Sequence, residues 1–113
     1  MEITTEDYSV KYDAETATIY WRGIMRLNKE EYKSIAQLME KIAALEPAQM
    51  TFNFLELEIL NSLGIATLGR FLLNVSKKKT IQLLIQATKD IAWQENSIKN
   101  LKKLVPKLQF EWV

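Results

Sequence analysis

Ser62 is the side chain best placed for chemistry in this chain. It lies in Asn61-Ser62-Leu63-Gly64, between the apolar stretch ending at Leu60 and a run in which Ile65, Leu68, Leu72 and Val75 recur at helical spacing. A serine becomes a nucleophile only beside a base. The chain has no histidine and no cysteine, which removes the commonest general base, the commonest metal ligand and all thiolate chemistry. Only a lysine or a carboxylate could activate Ser62. Carboxylates pair at Glu30/Glu31 and Glu56/Glu58, yet a hard-cation site needs several converging oxygens, and no loop of the EF-hand type surrounds them. They read as surface acids, and no metal is expected. The only glycines, Gly23, Gly64 and Gly69, match no phosphate-cradling loop. An enzyme or a cofactor site is therefore not expected. For Ser62 two roles remain: helix N-cap, a position Asn61 could also fill, or phosphoacceptor. Capping is the ordinary work of serine at such a place.

Gly64 in the first turn of that helix lowers helix propensity by about 1 kcal/mol relative to alanine. A residue that costs stability there implies a close approach to its backbone. The turn is thus the feature the remaining elements must position.

The chain has 113 residues, 48% of them hydrophobic, enough for one domain spanning 1–113 with a modest core. Fifteen basic and 14 acidic residues leave a formal net charge of +1. That balance argues against nucleic acid or an anionic membrane as the main partner. The segment Met1 to Asp7 is acidic and polar, unlike a signal peptide, and no apolar run reaches membrane-spanning length. The expected location is the cytoplasm.

Tyr8–Asp13 and Ala17–Gly23 alternate as two strands of an antiparallel hairpin. Asn28 and Glu31 form a capping-box pattern ahead of a stripe made by Tyr32, Ile35, Leu38, Met39, Ile42 and Leu45, which Pro47 brings to a stop. Met50–Leu55 reads as a strand, and the helix after the turn closes at Ser76-Lys77-Lys78-Lys79. Those lysines suit a helix C-terminus and need no ligand. Thr80–Gln86 is a further strand. Ala92–Val105 is a third helix with Ile98, Leu101, Leu104 and Val105 inward, ended by Pro106. Leu108, Phe110 and Trp112 alternate in a last strand. By this alternation Trp21 and Trp112 point inward, while Trp93 is partly exposed. The order is ββαβαβαβ. Serial strand–helix–strand units imply parallel pairing. Asn53, Gln82, Gln86, Gln109 and Glu111 alternate onto one face, so a mixed sheet with helices mainly on the other face is expected.

The stretch MTFNFLELEILNSLGIATLGRFL resembles the segment that defines STAS domains, the anti-sigma-factor-antagonist family. In that family an apolar strand runs into an Asp-Ser-Ser/Thr-Gly turn and then an apolar helix, and the order of elements matches nearly the whole chain. The resemblance implies a STAS-like α/β fold in a bacterial signalling protein. It also implies a protein partner, either the ATPase-like domain of an anti-sigma factor or switch kinase, or a PP2C-type phosphatase. Phosphorylation just before the glycine of the turn would break the kinase complex. Several positions depart from the pattern. The phosphoacceptor falls on Leu63, the leading acid of the turn on Asn61, the acid of the preceding strand on Asn53, and an acid after Gly23 near Arg26. The usual C-terminal helix is expected to be missing, the last strand running to Val113.

Three functions follow as expectations. The first is a partner-binding module that uses Asn61, Ser62, Leu63, Gly64, Ile65 and Arg26 without the usual phosphoswitch. Leu63 would present an apolar side chain of the kind that anchors interfaces. The second moves the switch one residue, to Ser62. The third is a small-molecule sensor or assembly subunit using the open sheet face, where Tyr20, Leu55 and Leu84 interrupt a polar surface. Self-association is compatible with all three.

Overall fold

The computed structural model describes residues 1–113. Strands β1 (Glu2–Thr4), β2 (Tyr8–Asp13) and β3 (Thr18–Met25) precede helix α1 (Lys29–Ala44). Strand β4 (Gln49–Leu60), helix α2 (Ser62–Ser76), strand β5 (Gln82–Ala87), helix α3 (Ala92–Leu104) and strand β6 (Gln109–Trp112) follow. All six strands form one sheet in sequential order. The first three pair antiparallel, and β3 through β6 pair parallel. This is a STAS-like mixed α/β fold with one strand more than the alternation suggested. β1 escaped notice because three residues cannot show a period. Its pairing with β2, Ile3 against Val10, is what makes it a strand.

A single core joins the helices to one face of the sheet. Trp21 meets Phe54 edge-on at 5.6 Å between ring centroids. Phe52 packs on Phe71 of α2 at 6.1 Å, and Phe54 on Trp93 of α3 at 5.9 Å. Asn28 caps α1 through the reciprocal capping box with Glu31. On the uncovered face Asn53 Nδ2 donates to Gln86 Oε1 at 2.9 Å, and Gln86 Nε2 reaches Glu111 Oε1 at 3.5 Å. Thr18 and Thr51 also lie off the helix-covered face, yet both are buried. No helix is long and apolar enough to cross a membrane.

Three side chains expected inward are not. Leu45 is the C-cap of α1 and is 61% exposed; by then the helix has ended and its stripe no longer faces the sheet. Leu104, in the last turn of α3, is also exposed, and Val105 takes the buried place. Trp112 is paired with Ala87, but β6 is the sheet edge, and Trp112 is 36% exposed beneath Lys89.

β4 is twice the length that the run Met50–Leu55 implied. Tyr20 pairs with Asn53 and Arg22 with Glu56, then Gly23 with Leu57 and Ile24 with Ile59. Each step inserts an extra residue in β4, a bulge that breaks strict alternation. Pairing with β5 covers only Gln49 to Asn53. Beyond that, α3 takes the place of a strand. Gln94, fully buried, donates to the carbonyls of Phe54 (2.7 Å) and Leu57 (3.1 Å) and accepts from Thr88 N–H (2.9 Å). Trp93 Nε1 donates to Leu57 O at 2.9 Å. These contacts satisfy the carbonyls of Phe54 and Leu57 where β5 no longer accompanies β4 on its way to the Asn61 turn.

Candidate functional site

The turn begins where β3 and β4 end together, Met25 paired with Leu60. Asn61 is the N-cap of α2: its Oδ1 accepts from Gly64 N–H at 3.1 Å. Its backbone N–H donates to Met25 O (3.0 Å), and its Nδ2 donates to Leu27 O (3.1 Å). The hydroxyl of Tyr32, from α1, lies between Met25 O (3.1 Å) and Asn61 Oδ1, its one proton serving one acceptor at a time. Burial pushes the Tyr32 phenol up to about 12, with the neighbouring Tyr8 and Glu31 adding to the rise and a backbone hydrogen bond at Leu27 opposing it.

Gly64 sits under the same tyrosine. A Cβ there would collide with Leu60 Cδ1 and with the Tyr32 ring and hydroxyl. The glycine lets α1 and α2 approach, which accounts for its place in a first helical turn. Gly23 performs a related service below. At φ 96° it lets Asp7 and Tyr8 pass close to β3, and a Cβ would strike the Asp7 carbonyl.

The structure thus divides the sequence-predicted site residues into two sets. Asn61 and Gly64 are framework, bonded or packed against α1 and β3. Ser62 and Leu63 are exposed at the start of α2, Ile65 is half-buried, and Arg26 is exposed directly after the Met25 that Asn61 bonds. The cap belongs to Asn61 and not to Ser62, because only the residue just outside the helix can turn its side chain back onto the first amides. The Ser62 hydroxyl is left outside the cap. Ile24, 40% exposed, pairs with half-buried Ile59 at the same end of the sheet. Alternation missed these two because the β4 bulges displace the register there.

The complete arrangement, six strands in sequential order with three helices on one face, invites comparison with solved structures. The fold is that of SiaC. SiaC of Pseudomonas aeruginosa superimposes with a TM-score of 0.70 at 12% identity, over 100% of this chain and 98% of SiaC. The crystal structure of the diguanylate cyclase SiaD in complex with its activator SiaC, also from Pseudomonas aeruginosa, matches with a TM-score of 0.72 at 10% identity. That match covers 100% of this chain and 99% of the other. No family model matches the chain, and no curated protein does. With so few identical residues, the SiaC match speaks for the backbone alone.

Beyond the Asn61 amide and the Tyr32 phenol that hold the turn, its outward groups are the Ser62 hydroxyl, the Arg26 guanidinium and the apolar side chains of Leu63 and Ile65. No cluster of acidic side chains gathers to hold a metal ion. What it offers is a rigid turn carrying Leu63, 38% exposed, toward solvent.

Proposed function

We propose that this protein is a non-enzymatic regulatory module that binds a partner protein through the Asn61–Ile65 turn, Arg26 and the exposed side of α2. One observation carries the reading: Leu63 is presented to solvent on a turn held by the hydrogen bonds of Asn61 with Met25, Leu27, Tyr32, Gly64 and Ile65. An apolar side chain on a fixed base loses little conformational freedom on binding, so more of its burial counts toward affinity. SiaC, of the same fold, is the activator of SiaD and is found in complex with it. The partner proposed here is of comparable kind, a signalling enzyme or its regulator. The STAS resemblance favours an ATPase-like switch kinase, an anti-sigma factor or a PP2C-type phosphatase, and the SiaC fold adds a nucleotide cyclase. With leucine at the usual phosphoacceptor position, the standard switch has no oxygen to act on.

Leu63→Asp tests this. Replacing an anchor at the centre of an interface by a charge costs about 2 kcal/mol or more, roughly a thirtyfold loss of affinity. Partners recovered quantitatively from the native host on the natural chain are expected to vanish on the variant, with melting temperatures nearly equal. Equal recovery on both chains overturns the reading.

A second reading is favoured by the release of Ser62 from capping. A phosphate there would meet the positive end of α2. It makes Ser62 the switch of the same module. Phosphopeptide mass spectrometry of the turn, on protein from the native host, decides between constitutive and switched binding.

A further inference from the structure

At the end of the sheet opposite the Asn61–Ile65 turn, five lysines gather where α2 and α3 end, while the acids of that end, Asp13, Glu15 and Glu46, lie at the β2–β3 turn and in the α1–β4 connection. Residues 77–107 carry eight lysines against Asp90 and Glu95, whereas the rest of the chain has seven basic side chains against twelve acidic ones. The near-neutral total conceals this separation along the sequence; of the eight, Lys89 follows β5 at the turn end and Lys99 lies mid-way along α3. Lys77, Lys78, Lys79, Lys103 and Lys107 are all exposed where α2 and α3 end. None of them is ion-paired, since the ion pairs are Lys11–Glu2 and Lys99–Glu95.

A groove of about 690 Å³ opens between these helix ends and the starts of β4, β5 and β6. Lys79 and Lys107 line it, and no carboxylate does. Its floor includes the buried Ile81, Leu83 and Val105. Gln49, Gln82 and Gln109 line it too, each the first residue of its strand. Some lysine charge answers the carbonyl ends of the helices, and Lys102 and Lys103 already occupy the last turn of α3. Lys79 and Lys107 stand beyond both helices. Lys79 moreover holds a left-handed backbone, φ 58°, where glycine would rest without strain. Dipole compensation accounts for neither.

We propose that this groove is a second docking site, which takes an extended acidic segment of a partner protein. The lysines match carboxylates. The three glutamine amides each offer a donor and an acceptor, the two functions a peptide backbone needs met. No aromatic side chain lines the groove, so it offers nucleic-acid bases nothing to stack on. It also lacks the forked guanidinium that suits phosphate. The site uses none of the residues of the turn. The two are separated by α2, 15 residues or about 22 Å long, so both can be filled at once. The module then has two ends and can bridge two proteins or two parts of one.

The test titrates the full chain against a fluorescein-labelled peptide of alternating glutamate and serine, followed by anisotropy at physiological salt. Lys79→Glu/Lys107→Glu is compared with Lys29→Glu/Lys33→Glu, which changes the net charge equally on α1. The groove pair is expected to weaken binding at least about tenfold and the α1 pair less than about twofold, because local contacts and not total charge set affinity. Circular dichroism confirms that both variants fold. Equal losses in the two pairs, no saturable peptide binding, or tighter binding of inorganic phosphate or a single-stranded oligonucleotide overturns the proposal.

Discussion

Tyr32 links the framework of the turn to a measurable property. An unfolded tyrosine ionises near pH 10, whereas burial holds this one up to about 12. As pH rises through 10, the unfolded chain gives up the proton first, so stability present below pH 10 is lost between 10 and 12. Tyr8, whose phenol is also raised by burial, acts in the same sense. In Tyr32→Phe the hydrogen bond at the turn is gone, at a cost of about 1 kcal/mol near neutral pH. The variant should nevertheless lose less stability than the natural chain between pH 9 and 11. Urea unfolding at the two pH values checks it, and parallel losses would mean that the hydroxyl is not sequestered by the turn. At this scale the sequence was informative about Gly64, whose low helix propensity foretold a close neighbour, but it could not name Tyr32, 32 positions away. It offered Asn61 and Ser62 equally as cap. Only backbone geometry separates a residue outside the helix from one at its first position.

Helices and most strands were legible because their apolar periods are long. The capping box at Asn28 and the stop at Pro47 bracket α1 to within a residue or two. The second half of β4 was not legible as a sheet element, since its two bulges interrupt alternation and β5 no longer accompanies it. Nor was Gln94 legible. A glutamine near a helix start reads as surface, and its carbonyl partners are 37 and 40 residues distant. Yet Gln94 is what lets β4 run on to the turn. Gln94→Leu keeps the volume and leaves the Phe54 carbonyl and the Thr88 N–H without these partners. Each such buried group costs about 1–3 kcal/mol, so a loss of about 3 kcal/mol is expected in urea unfolding. Leu57 O retains Trp93 and adds little. A loss below about 1 kcal/mol would show that water or a backbone shift replaces the amide.

Across the whole molecule, stability should be graded from the centre of the sheet outward, and that grading bears on both proposed docking sites. β3 and β4 each have strands on both sides and bury Ile19, Phe52 and Phe54 completely. β1, with three residues, and β6, with four, are edges. Native-state hydrogen exchange reports local opening up to the global limit, about 5–15 kcal/mol for a domain of this kind. Amides of Ile19 to Trp21 and Phe52 to Phe54 are expected at that limit, and those of β1 and β6 several kcal/mol below it. The Asn61 and Gly64 amides, bonded to β3 and to the cap, should follow the centre although they lie in a turn. That outcome would mean that Leu63 is mounted on the most stable part of the fold, ready to bind without ordering. The groove at the other end borders β6 and the close of α3 as well as the starts of β4 and β5, so Lys107, between α3 and β6, belongs to the looser part of the gradient. An acidic segment seated there should slow exchange in β6 while leaving β4 unchanged, because only the part that opens alone can gain from being held. Uniform protection across all six strands would instead describe a single cooperative unit, in which occupation of either end raises the stability of the other.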